Sequence, residues 1–492
     1  HQKPIMNFTH TPDIVPFENR IKYKQLDSHQ LNTLKHSVYQ ILERTGVYFP
    51  LEEALNIFEE NGADVNRKTQ IVKIPATVIE KALKTLPSAV VLGGREERFD
   101  LILDGSKGCV IPNSCGVFFM DLETGEKRNS YKSDVEQLAR VFDALPHVCL
   151  TRPIIAATDK GVTNAVHECQ ALLTNSLKHA RGATSMHPKL VPFILEMAQA
   201  IRGSEAEHRK RPIVNANICT LAPLGMDTHS LECALFYARS GIPQSMMAMP
   251  CMASTAPATV LGAVALGEAE IIALMTLLQL AVSGAPLIHC NLVGQMDPVH
   301  ANNILDVGEP AGHIVVQMAR EVWGLPSLGG VLSCMTADKP GWESGFIDGQ
   351  SAAMMSLAGP DLPGFMGLLG ESMIVYPEQI ILAHEAIQRA YDMLYGFKFN
   401  EDDIALDVIE SVGPRKHFLL SPHTAKGLRK LRHSPILRKK GPDKKLIDPK
   451  DVAKEIYQKI VAEHTPEPLP EDVLMELDRI VAAADEVGKT IK

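Results

Sequence analysis

Arg152, Thr184, Asn217, Met249, His289, Asn291, Asp338 and Glu371 each stand at or just past the end of a short apolar run. Four aromatic residues, Trp342, Phe346, Phe365 and Tyr376, lie close to the later members of that set. Guanidinium, amide, imidazole and carboxylate groups in such places can hold and orient a small charged molecule. Each also has a plainer reading. Asn217 can satisfy a loop backbone, and His289 can be a hydrogen-bonded core histidine.

Other chemistries find less support. There is no G-x-G-x-x-G and no G-x-x-x-x-G-K-[ST], so no phosphate cradle is indicated. No G-x-S-x-G elbow is present to suggest a serine hydrolase. His167 and Cys169 are two apart, a spacing that does not share a helix face. His384-Glu385 lacks the second histidine of H-E-x-x-H. His289 and Cys290 are neighbours on a candidate strand, so they point to opposite faces and cannot chelate together. The reading is therefore no intrinsic metal. Cys334 could be a nucleophile or simply a buried thiol.

These residues must be positioned by something large. The chain has 492 residues, 45% hydrophobic and 22% charged, with 49 Lys+Arg against 58 Asp+Glu and a net charge of −9. That balance argues against a nucleic-acid protein, which presents a basic face. Nine scattered cysteines suggest reduced thiols in a cytoplasmic enzyme. The longest apolar run, Ile271 to Val282, falls short of the ~20 residues of a membrane span and reads as a buried helix. The N-terminus carries no signal-peptide pattern.

Residues 1–108 read as a mostly helical region. One helix is capped by Asp27 or Ser28 and stops at Gly46. Short strands follow at 90–92 and 101–103. From 109 to 424, apolar runs alternate with helical stretches. Strands are expected at 148–156, 180–186, 213–219, 245–249, 287–293, 328–334 and 365–369, with 418–420 as an eighth. Helices are expected at 189–202, 228–239, 262–282, 312–323, 347–358 and 378–395. Repeated strand–helix units give parallel strands. About eight of them make an α/β (β/α)8 TIM barrel the expected fold, with additional N-terminal and C-terminal helical layers. An open doubly wound sheet is the rival. Residues 425–492 form a basic segment followed by two amphipathic helices packing on the barrel. The basic residues between 424 and 450 are either a solvated face or a patch that steers an acidic partner protein.

Several segments resemble one family. Tyr376-Pro-Glu-Gln-Ile-Ile-Leu-Ala-His-Glu-Ala-Ile387 resembles the S-P-E-Q segment of the MttB-type trimethylamine:corrinoid methyltransferase family. Ile404-Ala-Leu-Asp-Val-Ile-Glu-Ser-Val-Gly413 and His417-Phe-Leu-Leu-Ser-Pro-His-Thr424 resemble its A-L-D-V-I-x-x-V-G and H-F-L-x-x-x-H-T stretches. Asp121-Leu-Glu-Thr-Gly125, Ile74-Pro75 and Asn175-Ser-Leu-Lys-His179 agree as well, so the likeness spans nearly the whole chain. Where the family often reads D-S-K-x-P-D-x-Q-A-G, this chain has Thr336-Ala-Asp-Lys-Pro-Gly-Trp-Glu-Ser-Gly345, and the pocket is expected to differ there.

The resemblance implies a non-pyrrolysine member that demethylates a quaternary amine: glycine betaine, proline betaine, carnitine or γ-butyrobetaine. The methyl group would pass to Co(I) of a corrinoid (cobalamin) carried on a partner protein. A homo-oligomer is expected. The alternatives are a non-catalytic betaine-binding barrel and a zinc-dependent methyltransferase of another methyl donor. An ammonium leaves as a neutral amine, so no general acid is required. The enzyme's part is positioning and exclusion of water. Aromatic faces suit a cation that cannot donate N–H bonds, at ~0.5–2 kcal/mol each. Trp342, Phe346 and Phe365 are the candidates. Glu343 and Glu371 are expected near the site, and Arg152, Asn217, His289 and Asn291 as donors to a betaine carboxylate. The barrel mouth should be open to a large acceptor.

Overall fold

The computed structural model describes residues 8–114, 116–182, 186–304, 309–329, 336–364, 366–428, 431 and 434–491. Thr184, Cys334 and Phe365 lie outside the described residues.

Seven short strands run parallel, each hydrogen-bonded to the next in chain order: Leu150–Thr151, His179–Arg181, Val214–Cys219, Gln244–Ala248, Leu287–Asn291, Ser327–Gly329 and Leu362–Pro363. The stretch 109–113 closes the ring. On one side the amides of Cys109, Ile111 and Asn113 donate to the carbonyls of Asp361, Pro363 and Met366. On the other, the Val110 carbonyl accepts from the Cys149 amide. Eight staves result, each followed by a helix, which is the (β/α)8 barrel. Two expectations are corrected. The stretch 418–420 is a short 3-10 turn, not a stave, and Leu368–Leu369 pairs antiparallel with Ile374–Val375 outside the barrel.

The barrel is plugged at its bottom. Strands Val90–Leu92 and Leu101–Leu103 form an antiparallel pair. They bury Val90, Leu92, Leu101 and Leu103 against Ile111, Leu150, Ile288, Cys290, Leu328 and Leu362 of the lumen. Gly93 just after this plug donates its amide to the Pro212 carbonyl, and its own carbonyl meets Nδ1 of His179 at 2.9 Å.

Helix Val260–Ala281 follows the fifth stave and is apolar all round. Among the described residues it is the one helix long and apolar enough to cross a membrane, and it is mostly buried inside the protein. The reason is that it is covered on both sides. One side lies on the barrel, and helices Ser28–Gln40, Glu52–Glu60 and Ala76–Leu83 pack on the other. The first of these is fixed by a reciprocal cap. Asp27 accepts from the Gln30 amide at 2.9 Å, and the Gln30 side chain accepts from the Asp27 amide at 3.0 Å. Gly46 ends the unit with φ of 80°, and a Cβ there would meet the Val72 carbonyl at 2.6 Å.

The C-terminal helices Pro449–Glu463 and Glu471–Gly488 pack on the barrel helices Lys132–Ala144, Asn164–Asn175, Val191–Arg202 and Pro377–Tyr395. Both chain ends converge on Asp143, which is fully buried. Its carboxylate accepts from Ser176 Oγ at 2.7 Å, the Leu177 amide at 2.8 Å, His464 Nε2 at 2.8 Å and the Thr11 hydroxyl. Nearby, Lys178 Nζ is caged by the carbonyls of Phe142, Leu145 and Val148 at 2.7–2.8 Å. Between Gly396 and Pro435, by contrast, no described residue is buried.

Burial works against the charged form of Asp143. The His464 hydrogen bond, the Lys178 charge and the two hydroxyls outweigh it and hold the carboxyl below its ordinary value. A depressed acid adds stability above its unfolded value of about 3.9 and loses it as pH falls through the folded value. Asp143→Asn is therefore expected to lower stability by about 3–5 kcal/mol near neutral pH. It should also flatten the acid limb of the stability–pH profile. Urea titrations of both proteins across pH 2–7 would check this, and an unchanged acid limb would remove Asp143 from the account.

Candidate functional site

Period-two alternation decides which stave residues enter the lumen. On the third stave these are His179 and Arg181, with Ala180 turned to the outer core. On the fourth they are Asn215, Asn217 and Cys219, and on the fifth Ser245 and Met247. On the second, Leu150 faces in and Arg152 follows it at the C-terminal end. The pairing of Thr151 with Ala180 sets Arg152 beside Arg181.

Arg181 is fully buried. Its Nη1 donates to Ser245 Oγ at 2.9 Å and its Nη2 to Asn217 Oδ1 at 2.6 Å. Nε has no hydrogen-bond partner among the described residues. Burial, and then the charge of Arg152, push this guanidinium down to about 9. Arg152 is itself buried. Two guanidinium groups thus share a dry space, with Asn217 and Ser245 aligning one of them.

The opposite side of the lumen is apolar. Met247, Ile288, Cys290, Leu292, Leu328 and Leu362 are all buried there. Burial pushes the Cys290 thiol up to about 12, so it stays protonated and is no nucleophile at neutral pH. A cationic wall facing an apolar one suits an amphiphilic anion. Carboxylates bind arginine through paired, charge-assisted hydrogen bonds.

Of the residues singled out from sequence, Arg152 and Asn217 are brought together here. His289 and Asn291 are not. On the sixth stave Ile288 and Cys290 take the lumen positions, so His289 and Asn291 face the Val260–Ala281 helix. His289 Nε2 meets the two oxygens of Glu268 at 3.0 and 2.9 Å. Asn291 Nδ2 donates to Glu268 at 3.0 Å and to the Val264 carbonyl at 3.2 Å. Trp323 Nε1 adds a third donor to Glu268 at 2.8 Å. The expected placement of these two residues is thereby corrected: they hydrogen-bond a carboxylate buried on the Val260–Ala281 helix.

Trp342 and Phe346 begin the helix after the seventh stave. Their rings stack at 5.9 Å, and they are 84% and 56% exposed. Glu343 between them is exposed too. Glu371, after the eighth stave, is exposed at φ of +55° and accepts from the Asn302 amide. These four stand on the rim and do not line the lumen.

Sequence reasoning missed Arg181 and Ser245. The signal was present, since Arg181 interrupts a stretch read as a buried strand, and a charge there needs a reason. His167, tested as a metal ligand, pairs with Asp485 of the last helix at 3.0 Å. Among the described residues no three of His, Cys, Asp and Glu converge as for a metal ion. A separate cavity of about 390 Å³ opens among Asn164, His187, Asp227 and His229 on the loops after the second, third and fourth staves. It lies outside the lumen and does not include the arginine pair.

The family described as trimethylamine methyltransferase (MTTB) matches residues 7–487. The trimethylamine methyltransferase MttB of Desulfitobacterium hafniense is 30% identical over 474 residues, covering 93% of this chain and 94% of that one. A glycine betaine methyltransferase of the same species is 26% identical over 488 residues, covering 95% and 98%. Among solved structures, the monomethylamine methyltransferase MtmB of Methanosarcina barkeri aligns with a TM-score of 0.46 at 10% identity, covering 96% of this chain and 89% of that one.

Glu268→Ala should leave His289, Asn291 and Trp323 without their shared acceptor. The expected cost is about 3–5 kcal/mol, typical of breaking a buried charged network. Chemical denaturation checks it. A stable Glu268→Ala protein would show that these residues do not depend on the carboxylate.

Proposed function

This chain belongs to the trimethylamine methyltransferase family, and from that premise we propose that it demethylates a quaternary amine that also carries a carboxylate. Glycine betaine is the smallest such substrate. Proline betaine, carnitine and γ-butyrobetaine share the same two charges. The methyl acceptor in this reading is the Co(I) corrinoid of a partner protein arriving at the barrel mouth. The observation that carries the proposal is the buried pair Arg152–Arg181, with Arg181 held by Asn217 and Ser245.

The charges orient the substrate. A carboxylate drawn to the two guanidinium groups would sit deepest. The ammonium of the same molecule, repelled by them, would point up toward the mouth and the acceptor. A simple methylated amine without an anion meets only the repulsion, which is discrimination by an unfavourable contact.

The same field assists the reaction. In the ground state the substrate nitrogen is fully cationic. As the methyl departs, that positive charge disappears. A nearby fixed positive charge therefore raises the ground state more than the transition state. The leaving amine needs no proton, so the lumen requires no acid–base pair. The apolar wall of Ile288, Cys290 and Leu328 excludes the water that would weaken these fields. Trp342, Phe346, Glu343 and Glu371 in this reading form the rim that meets the ammonium and the incoming acceptor protein.

The test compares glycine betaine with choline, which has the same ammonium but no carboxylate, by following methylcobalamin formation from reduced cobalamin. The native protein is expected to prefer betaine. Arg181→Met should erase that preference, raising KM for betaine roughly ten- to a hundredfold, the worth of a charge-assisted hydrogen bond of about 1.5–3 kcal/mol. It should leave stability equal or higher, because a buried cation gives way to a hydrophobic group. A native enzyme that turns over choline as well as betaine would overturn the assignment.

A further inference from the structure

Arg152 and Arg181 lie side by side, and the side chains that Arg181 holds, Asn217 and Ser245, are neutral. Facing them are Met247, Ile288, Cys290 and Leu328, all buried. The aromatic faces that suit a cation, Trp342 and Phe346, are out on the rim and largely exposed. A space built this way has a preference of its own. It favours a negative head. Beside that head it favours a tail without charge, because hydrocarbon and protonated thiol cannot replace the water that a cation gives up.

A betaine meets only half of that preference. Its carboxylate is attracted, but its ammonium lies a few bonds away and is repelled by the same two guanidinium groups. Loss of the methyl group changes the balance. The C–N bond breaks with its electron pair left on nitrogen. The methyl carbon bonds through an electron pair of the acceptor cobalt, which is formally oxidised from Co(I) to Co(III). The organic product is a carboxylate with a neutral amine, so its net charge is −1 where the substrate's was zero. Beside two cations that amine resists protonation, because its protonated form would be a like charge.

We propose that the lumen binds a short carboxylate with a bulky, uncharged tail more tightly than it binds the zwitterion it demethylates, an inference that rests on the assignment above of Arg152 and Arg181 as the carboxylate anchor. Two classes of ligand follow. Branched aliphatic acids of a betaine's size are competitive inhibitors. The demethylated amino acid is held in its anionic form, although in neutral water its amine is protonated. It therefore sheds a proton on entering the lumen and regains one on leaving. The field that raises the cationic ground state thus also retains the product, and release waits on a proton from solvent.

The probe is the anion of tert-butylacetic acid, which is glycine betaine with carbon in place of nitrogen. It has the same shape and the same carboxylate, with no ammonium and no methyl group to give. Titration calorimetry of the full chain without any corrinoid is expected to give it a Kd roughly tenfold or more below that of glycine betaine. In the methylcobalamin assay it should inhibit competitively against betaine. Arg181→Met should weaken the isostere more than betaine and so narrow the ratio, with circular dichroism unchanged.

A second measurement reads the proton. N,N-dimethylglycine, titrated into the native chain near neutral pH in two buffers of different ionisation enthalpy, should release about one proton per molecule bound. Glycine betaine and the isostere should release none. Glycine betaine binding as tightly as the isostere, or dimethylglycine binding without proton release, would overturn the inference even where betaine remains the preferred methyl donor. Choline demethylated as readily as betaine, with the isostere still the tighter ligand, would remove the substrate assignment and leave this inference standing.

Discussion

Two arginines buried side by side in the barrel govern this molecule. Taking a guanidinium from water into a buried lumen is costly, and among the described residues Arg181 finds its hydrogen bonds in the neutral side chains of Ser245 and Asn217. Placing Arg152 alongside compounds the cost. A core selected for stability alone would carry a hydrophobic layer at that height, as most (β/α)8 barrels do. The rest of the fold accommodates the exception. The plug below keeps water out, thiols and methylenes line the far wall, and Asn217 and Ser245 fix the direction of the charge. In the function proposed above, an anion tethered to an ammonium meets the two guanidinium groups while leaving its own positive end outside.

The barrel was legible because strand and helix signals alternate with the right lengths, and because helices such as Val260–Ala281 and Pro377–Tyr395 announce themselves by composition and caps. The first stave was hidden. It is short, irregular and interrupted by Pro112, so only its closure of the ring identifies it. Phe418-Leu-Leu420 looked like a strand for the opposite reason, being an apolar run that in this chain faces outward.

The site was harder to read. In the sixth stave, Leu-Ile-His-Cys-Asn, both faces are buried, one by the lumen and one by a helix. Such strands lack the polar alternation that tells inside from outside. Sequence therefore located His289 and Asn291 correctly along the strand and could not tell which way they point. Arg181 closes the third stave, but the sequence places that strand at 180–186, so the residue reads as the strand's beginning and not as the end where ligand groups are usually sought. Stacked rings at 342 and 346 look like a cage in sequence and prove to be a rim, because the first turn of their helix projects beyond the barrel.

The junction at Asp143 has a consequence for how the chain is made. Its carboxylate accepts from Thr11 and from His464, residues far apart in the sequence, as well as from Ser176 and Leu177. A ribosome delivers these hundreds of residues apart. Until the last helices emerge, the nascent barrel holds an acid whose principal partner has not been synthesised. Completion of the fold therefore waits for helix Pro449–Glu463 and the His464 that follows it, and a product cut short before them is left with an open seam that quality-control proteases can recognise.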